Sequence, residues 1–373
     1  MNSDRSASNG RLTSKSVVVA PVPGVTGEPP TVSVIIPCYN YGHFLPESVP
    51  SALSQEGVQV EVIIVDDAST DDSAAVAEKF AGADPRVRVV RHQKNTGHVV
   101  AFNDGLAEAS GAYIHRLDAD DLLTPGALAR AVALFEHQPS VGLVYGHPSH
   151  FTTSPPPPAR TQVRSWTIWS GGDWIAERCR RGVNCITTPE AVVRASVVEQ
   201  IGPLSLRLKF AQDMEYWLRV AAVSDVGRID GADQAWHRDH AASMSVTTGA
   251  GQLLDLRERR TVFETVFDGP GGRFSDATAM HRTARRALAG EALQIASHAY
   301  DRGRTAEVDV DSFIAFARET FADYQQLPQW RALQRRSRVG ARLAPVVPPF
   351  AASVVWRRVQ REVRYRRWVR AGV

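Results

Sequence analysis

Cysteine is scarce in this chain. Cys38, Cys179 and Cys185 are the only three in 373 residues, and their spacing fits neither a disulfide framework nor a thiolate metal site. An odd, sparse set of thiols points to a reducing compartment, so a cytoplasmic setting is expected. No apolar run approaches the roughly 20 residues of a spanning helix. Residues 17–25 are too short, and Pro21 and Pro23 break them, which argues against a secretory signal. Internal repeats are missing, which excludes solenoids and propellers. Acidic residues are nearly missing from residues 330–373, where 12 arginines stand against Glu362 alone. With +3 for the whole chain, the remainder carries about −8.

What is present alternates. Val32-Ser-Val-Ile-Ile36, Val60-Glu-Val-Ile-Ile-Val65, Val87-Arg-Val-Val-Arg91 and Tyr113-Ile-His-Arg-Leu117 read as short strands, rich in β-branched residues. Helical patterns separate them at about 46–55, 72–80 and 98–109. Such alternation predicts an α/β fold with a mainly parallel sheet covered by helices on both faces. Ligands of such sheets bind beyond the carboxyl ends of the strands. Tyr39, Asp66, Asp67, Asp118 and Asp120 all fall there. Pro50 inside the first helical pattern predicts a kink or an early end. Thr124-Pro125 reads as N-cap and first position of a helix running to about His137.

The densest chemistry is Asp118-Ala-Asp120-Asp121. Packed carboxylates repel and are costly to desolvate, so they face water or a cation. Oxygen ligands at a strand end suit Mg²⁺ or Mn²⁺. A solvated turn capping the next helix is the competing reading. Tyr39 offers an aromatic face for a base, or a half-buried packing ring. Asp67 offers an acceptor for a ring N–H, or an ordinary turn acceptor. Asn95-Thr-Gly97 is a turn before a helix, either an ordinary N-terminal turn or one whose N–H groups face phosphate.

Taken together, Ser33-Val-Ile-Ile-Pro37-Cys-Tyr39-Asn40, Val65-Asp66-Asp67-Ala-Ser69-Thr70-Asp71, Asn95-Thr-Gly97 and Leu117-Asp118-Ala-Asp120-Asp121 resemble the ordered motifs of family 2 glycosyltransferases. The resemblance spans about residues 31–245. It implies a GT-A fold and inverting transfer from a nucleotide-activated sugar, with a UDP-sugar favoured. By that pattern Pro37 and Tyr39 flank the base, and Asp67 hydrogen-bonds it. Asp118 lies against the ribose and metal, and Asp120 binds the metal directly. The acceptor expected is a glycan or lipid-linked sugar. No nucleic acid is expected as a partner.

A general base is sought further on. Phe210-Ala-Gln-Asp213-Met-Glu-Tyr-Trp217 begins an amphipathic helix with Asp213 in its first turn. It is similar to the family's late acidic motif, with Gln212 where Glu is usual. Asp213 is therefore the candidate base, against the plainer role of helix cap. Trp236-His237-Arg238-Asp239-His240 through Ser245 resembles the family's Arg-x-His segment. There Arg238 is a candidate for phosphate and His240 for the metal or diphosphate. The segment Asn184-Cys-Ile-Thr187-Thr188-Pro189-Glu190 is a candidate acceptor wall. Trp166, Trp169 and Trp174 are expected mainly in the core.

Four regions follow. Residues 1–30, rich in Ser, Gly and Pro, read as a disordered leader. Residues 31–248 form the catalytic domain, and 249–329 a helical extension. Residues 330–373 read as a basic amphipathic tail, split by prolines and suited to an anionic membrane surface at the cytoplasmic face, with a solvated tail or a helix docked on its own protein or a partner as the competing readings. A sugar nucleotidyltransferase is disfavoured, because Pro37-Cys-Tyr-Asn40 is no glycine-rich phosphate loop. A non-catalytic nucleotide-sugar-binding or scaffold protein is the remaining alternative.

Overall fold

The computed structural model describes residues 15–22, 24, 27–240, 251–348, 350, 359–360, 362–363, 365–366, 368–369 and 372. The first half contains β1 (Ser16–Val19), β2 (Thr31–Cys38), α1 (Leu45–Leu53), β3 (Gln59–Asp66), α2 (Ser73–Ala83) and β4 (Val87–Arg91). Next come α3 (His98–Ala107), β5 (Tyr113–Arg116), β6 (Leu122–Leu123), α4 (Ala127–His137) and β7 (Val141–Phe151). Then follow β8 (Ser165–Trp169), α5 (Gly171–Arg181), β9 (Ala191–Arg194), α6 (Ala195–Ile201), α7 (Gln212–Ala221) and β10 (Asp225–Arg238). Four helices close the series: α8 (Gln252–Asp268), α9 (Ala277–Asp301), α10 (Val310–Thr320) and α11 (Pro328–Val339).

The strands make a 10-stranded sheet in the order β1-β8-β10-β7-β9-β5-β2-β3-β4, with β6 paired to β10. The block β4-β3-β2-β5 is parallel. β9 lies antiparallel between β5 and β7, and β7 runs parallel to β10. Side chains alternate across the sheet, as the strand period requires. Val32, Val34 and Ile36 of β2 join Leu45 of α1 and Leu128 of α4 in one core. Ile35 points the other way, to Phe102 of α3. This is the α/β fold with helices on both faces, and the parallel strands all end on the same edge.

The leader reading needs correcting at Ser16–Val19. These residues pair antiparallel with Trp166–Trp169 at the sheet edge. Three consecutive valines supply β-propensity that the surrounding Ser, Gly and Pro obscure. Thr124 does not cap α4 either. Its hydroxyl donates to the Asp233 carbonyl, and the helix begins after Gly126, whose φ of 72° is left-handed. Helix α1 contains Pro50 and ends at Leu53. Trp166, Trp169 and Trp174 are buried.

The helical extension is not a separate body. Phe263 of α8, Leu288 of α9 and Phe316 of α10 share one apolar core with Trp174 of α5 and Leu218 of α7. Part of the basic tail belongs to it as well. Leu333 of α11 is buried, and Arg336 pairs with buried Asp301 at 2.7 Å. Trp368 packs against the same core. A reading of residues 330–373 as one interfacial element is corrected to that extent, since these side chains face the protein. Trp356 lies outside the described residues. Among the described residues, no helix is long and apolar enough to cross a membrane.

Candidate active site

Three strand exits build one side of the site. Tyr39, just after β2, stands 43% exposed, so its ring is open on the edge. Pro37 is the penultimate residue of β2 and pairs with Val65. The next loop is tied to its neighbour. Asn40, at a left-handed φ of 57°, accepts from the Thr70 N–H at 2.7 Å, and its own N–H donates to Ser69 Oγ at 3.0 Å. Gly42 is required by close approach, because a Cβ there would lie 2.6 Å from Ser73 Cα.

Asp67 sits under a turn rather than facing outward. Its carboxylate takes the Thr96 N–H and Oγ1 at 2.8 Å, the Gly97 N–H at 2.7 Å, and His92 Nδ1 at 2.8 Å. Burial opposes its charge, but these donors hold its carboxyl below the usual range. The Thr96 and Gly97 N–H groups are thus directed to Asp67. That matches the ordinary N-terminal turn rather than the phosphate-facing alternative for Asn95-Thr-Gly97. Its neighbour Asp66 is buried with Oδ1 unpartnered, so Asp66 holds the freer acceptor of the pair.

Beyond β5, Asp118 accepts from Arg116 Nε at 2.9 Å and Nη2 at 2.7 Å. Burial works against its charge, yet Arg116 keeps the carboxyl low. Asp120 is pushed the other way, by burial and by the Asp118 charge. His240 Nε2 lies 2.8 Å from its Oδ2. Asp121 faces inward and takes the Arg238 N–H at 2.8 Å and His237 Nδ1 at 3.1 Å. Burial raises its carboxyl. Arg238 is committed to this turn: Nε donates to the Asp120 carbonyl and Nη2 to Glu47. It braces the acidic loop, and the phosphate role read for it from sequence is not what its contacts favour. Ser243–Ser245 lie outside the described residues.

The donor set of Asp118, Asp120 and His240 fits a hard divalent ion: carboxylates whose mutual repulsion a cation relieves, with one imidazole. Among the described residues, the one triad of such groups whose ligand atoms are gathered lies on the neighbouring strand ends. His150, His237 and Asp239 present ligand atoms within 4.8 Å of one another.

Asp213 lies within reach of the charges at the acidic strand exit. Its Oδ1 accepts the Met214 N–H at 2.7 Å, and Oδ2 accepts Asn184 Nδ2 at 2.8 Å. Burial pushes its carboxyl up to about 6, while the Arg116 charge pulls down and that of Asp118 pushes up. Asp213 therefore shares an electrostatic environment with the acidic strand exit. The loop entering α7 is held from afar. Glu258 of α8 accepts the N–H groups of Lys209, Phe210 and Ala211 at 2.7–3.0 Å. Gln212 lies 2.7 Å from His98 Nε2, and burial drops that imidazole to about 4. A neutral ring accepts the Gln212 amide N–H, which a glutamate could not supply.

Asn184 belongs to the predicted acceptor wall. Further along that wall, Glu190 accepts the Thr187 N–H and hydroxyl at 2.7 Å, and Thr188 holds a φ of 109°. Strain of this kind in a β-branched residue gathers at working sites. Sequence reasoning assigned no role to Arg116, His98 or Glu258. Arg116 stood inside the quoted strand run of residues 113–117, two residues before Asp118, the one visible signal. Glu258 lies in an unremarkable helix and carried none.

The fold resembles that of known glycosyltransferases. Staphylococcus aureus TarS, solved with UDP-GlcNAc, superposes with a TM-score of 0.56 at 16% identity, covering 83% of this chain and 92% of that one. The mannosyltransferase PcManGT of Pyrobaculum calidifontis, solved with GDP-Man and Mn²⁺, gives 0.51 at 18% identity, covering 90% and 86%. These likenesses establish the GT-A architecture. In sequence, residues 33–202 match Glycosyl transferase family 2. The chondroitin synthase of Pasteurella multocida is 39% identical over 116 residues, which are 31% of this chain but 12% of the synthase. The chain thus spans a small part of such relatives.

Proposed function

We propose that the protein is an inverting glycosyltransferase. It moves a sugar from a nucleotide-diphosphate sugar, a UDP-sugar foremost, to a hydroxyl of a glycan or lipid-linked acceptor. The observation that carries this reading is the nearness of two unlike acids, since the Asp118 charge reaches Asp213. Asp118 and Asp120 gather at a strand exit, and Asp213, raised to about 6, lies within reach of the Asp118 and Arg116 charges.

The roles follow from chemistry. Tyr39 and Pro37 form the face on which the base rests, and the Asp66–Asp67 pair supplies its polar acceptor. Asp118, Asp120 and His240 would hold Mn²⁺ or Mg²⁺, which when bound offsets diphosphate charge. Asp213 accepts the proton of the acceptor hydroxyl as that oxygen attacks the anomeric carbon. The bond from that carbon to the diphosphate oxygen breaks on the opposite face, so configuration inverts. A base near 6 is ionised at neutral pH yet basic enough to take the proton. The nucleotide sugars and Mn²⁺ carried by TarS and PcManGT support the same donor class. Exposed Val359, Val363 and Tyr365, set among arginines, support peripheral contact with an anionic membrane at its cytoplasmic face.

The test is a thermal-shift panel of nucleotide sugars with and without Mn²⁺. A ligand of the native state raises stability by RT ln(1 + [L]/Kd). A shift for one nucleotide sugar that grows with Mn²⁺ is expected. No shift for any would overturn the reading.

A further inference from the structure

The last described helical residues reach back to the loop that holds Asp213. Trp368 Nε1 donates to the Cys185 carbonyl at 2.9 Å, across 183 residues of sequence. Its ring lies 5.5 Å from that of His147 on β7. Two neighbours anchor the same segment. Arg228 Nη2 donates to the Val369 carbonyl at 2.9 Å, and the buried Tyr145 hydroxyl to the Gly372 carbonyl at 3.0 Å. Gly372 sits at φ +69° with Arg228 so near that a Cβ would lie 2.2 Å from its Cδ. Three separate contacts therefore fix this stretch on β7, β10 and the 184–186 loop.

That loop is knit around one amide. Asn184 Oδ1 accepts the N–H groups of Cys185 at 2.8 Å and Ile186 at 3.2 Å. Its Nδ2 donates both to the Ile186 carbonyl and to Asp213 Oδ2, each at 2.8 Å. The amide is thus oriented by the very peptides that Trp368 clamps. Freeing the Cys185 carbonyl lets those peptides turn, and the Asn184–Asp213 bond lengthens with them. A hydrogen bond to a carboxylate weakens steeply with misalignment.

We propose that Trp368 is a positioning residue for the general base, acting through Cys185 and Asn184, and that the C-terminal segment thereby completes the acceptor side of the site. The proposal rests on the reading of Asp213 as the base. Its chemistry is specific to the indole N–H. A phenyl ring at 368 keeps the packing on His147 but loses the donor.

The experiment uses the full chain with its nucleotide sugar and acceptor. Trp368→Phe is expected to lower kcat about 3- to 10-fold, the effect of one well-placed hydrogen bond. Donor Kd should stay within about twofold of wild type, because the donor residues lie on other elements. The acid limb of the kcat–pH profile should move to higher pH, since weakening a bond to the carboxylate favours its protonated form. In an Asn184→Ala background the same substitution should have no further effect on kcat or on the limb. A Trp368→Phe enzyme with wild-type kcat and pH limb overturns the proposal, as does an undiminished effect in the Asn184→Ala background. Loss of kcat together with donor affinity, or with a large fall in melting temperature, also overturns it, assigning Trp368 to packing alone. Asp213→Asn is measured alongside: if it retains turnover, the base assignment fails, whatever Trp368 does.

Discussion

At the donor edge, most of the functional side chains follow from the strand that delivers them, although His240 reaches Asp120 from 120 residues on. Asp67 finds His92, Thr96 and Gly97 within 30 residues, and Arg116 reaches Asp118 two positions away. On the acceptor side the supports are remote. Glu258 caps the entry to α7 from 47–49 residues on, and Trp368 clamps Cys185 from 183. Local motifs can specify a donor site almost alone, because strand ends and their turns carry most of its geometry. An acceptor site assembled from distant helices is set by the packing of the whole chain. The lesson is that two halves of one site can differ in how far their determinants are spread.

This contrast is broken most sharply at the metal ligands. Asp120→Asn should abolish transfer and remove the Mn²⁺-dependent part of donor binding, because a neutral amide is a poor ligand for a hard cation. Calorimetry of donor binding with and without Mn²⁺ checks it. Metal-stimulated activity surviving in the variant would show that the donor edge is not organised around Asp120.

Asp213→Asn comes next. It should lower kcat by about 10²-fold or more, the usual share of a general base, with donor Kd near wild type. An equal loss of donor affinity would merge the two halves into one. The pH profile sharpens the point. As the proposed base Asp213 would work ionised, and burial raises it to about 6. The wild-type kcat should therefore fall as pH drops through about 6, tending to roughly tenfold per unit below it. A limb near 4 would mean that the base is an exposed carboxylate elsewhere.

What was legible in the sequence divides along the same line. The β-branched runs at 32–36, 60–65 and 87–91 became β2, β3 and β4, since apolar period and turn residues are local signals. His240 lies 2.8 Å from Asp120, while Asp118 is held by Arg116 two residues before it. Asp67 did reach the edge, but its carboxylate serves the 92–97 turn, because a chain that folds back over a carboxylate spends its N–H groups there. Arg238 is consumed by Glu47 and the Asp120 carbonyl for the same reason. The β1 edge strand was illegible, and so was the partner on which Trp368 docks. Each depends on a partner far away in sequence, and composition carries no trace of which partner it will be.

A smaller effect tests the helical side for stability alone. Arg336 and Asp301 are both buried and paired at 2.7 Å. Arg336→Ala leaves a buried carboxylate short of a partner, which costs about 3 kcal/mol. Denaturant melts should show the loss, while donor affinity measured well below the transition stays unchanged. A weakened donor site in that folded variant would mean that α11 and the donor edge are coupled.

The smallest expected effect belongs to Tyr39, and it isolates the donor edge from the fold. The ring is 43% exposed and ends no core contact network, so its removal should leave stability within about 0.5 kcal/mol. Stacking of a base on an aromatic ring is worth about 1–3 kcal/mol. With one face already open to water, the low end applies, and Tyr39→Ser should weaken nucleotide-sugar binding by roughly 5- to 10-fold. Because stacking acts on donor and transition state alike, kcat at saturating donor should hold while KM rises. Tyr39→Phe should restore binding, since the ring face and not the hydroxyl makes the contact. Titration of the free nucleoside diphosphate gives the same answer without turnover. If Tyr39→Ser binds the nucleotide as tightly as wild type, the base rests elsewhere along the β2–β3 exits, and Tyr39 is a surface tyrosine of the loop.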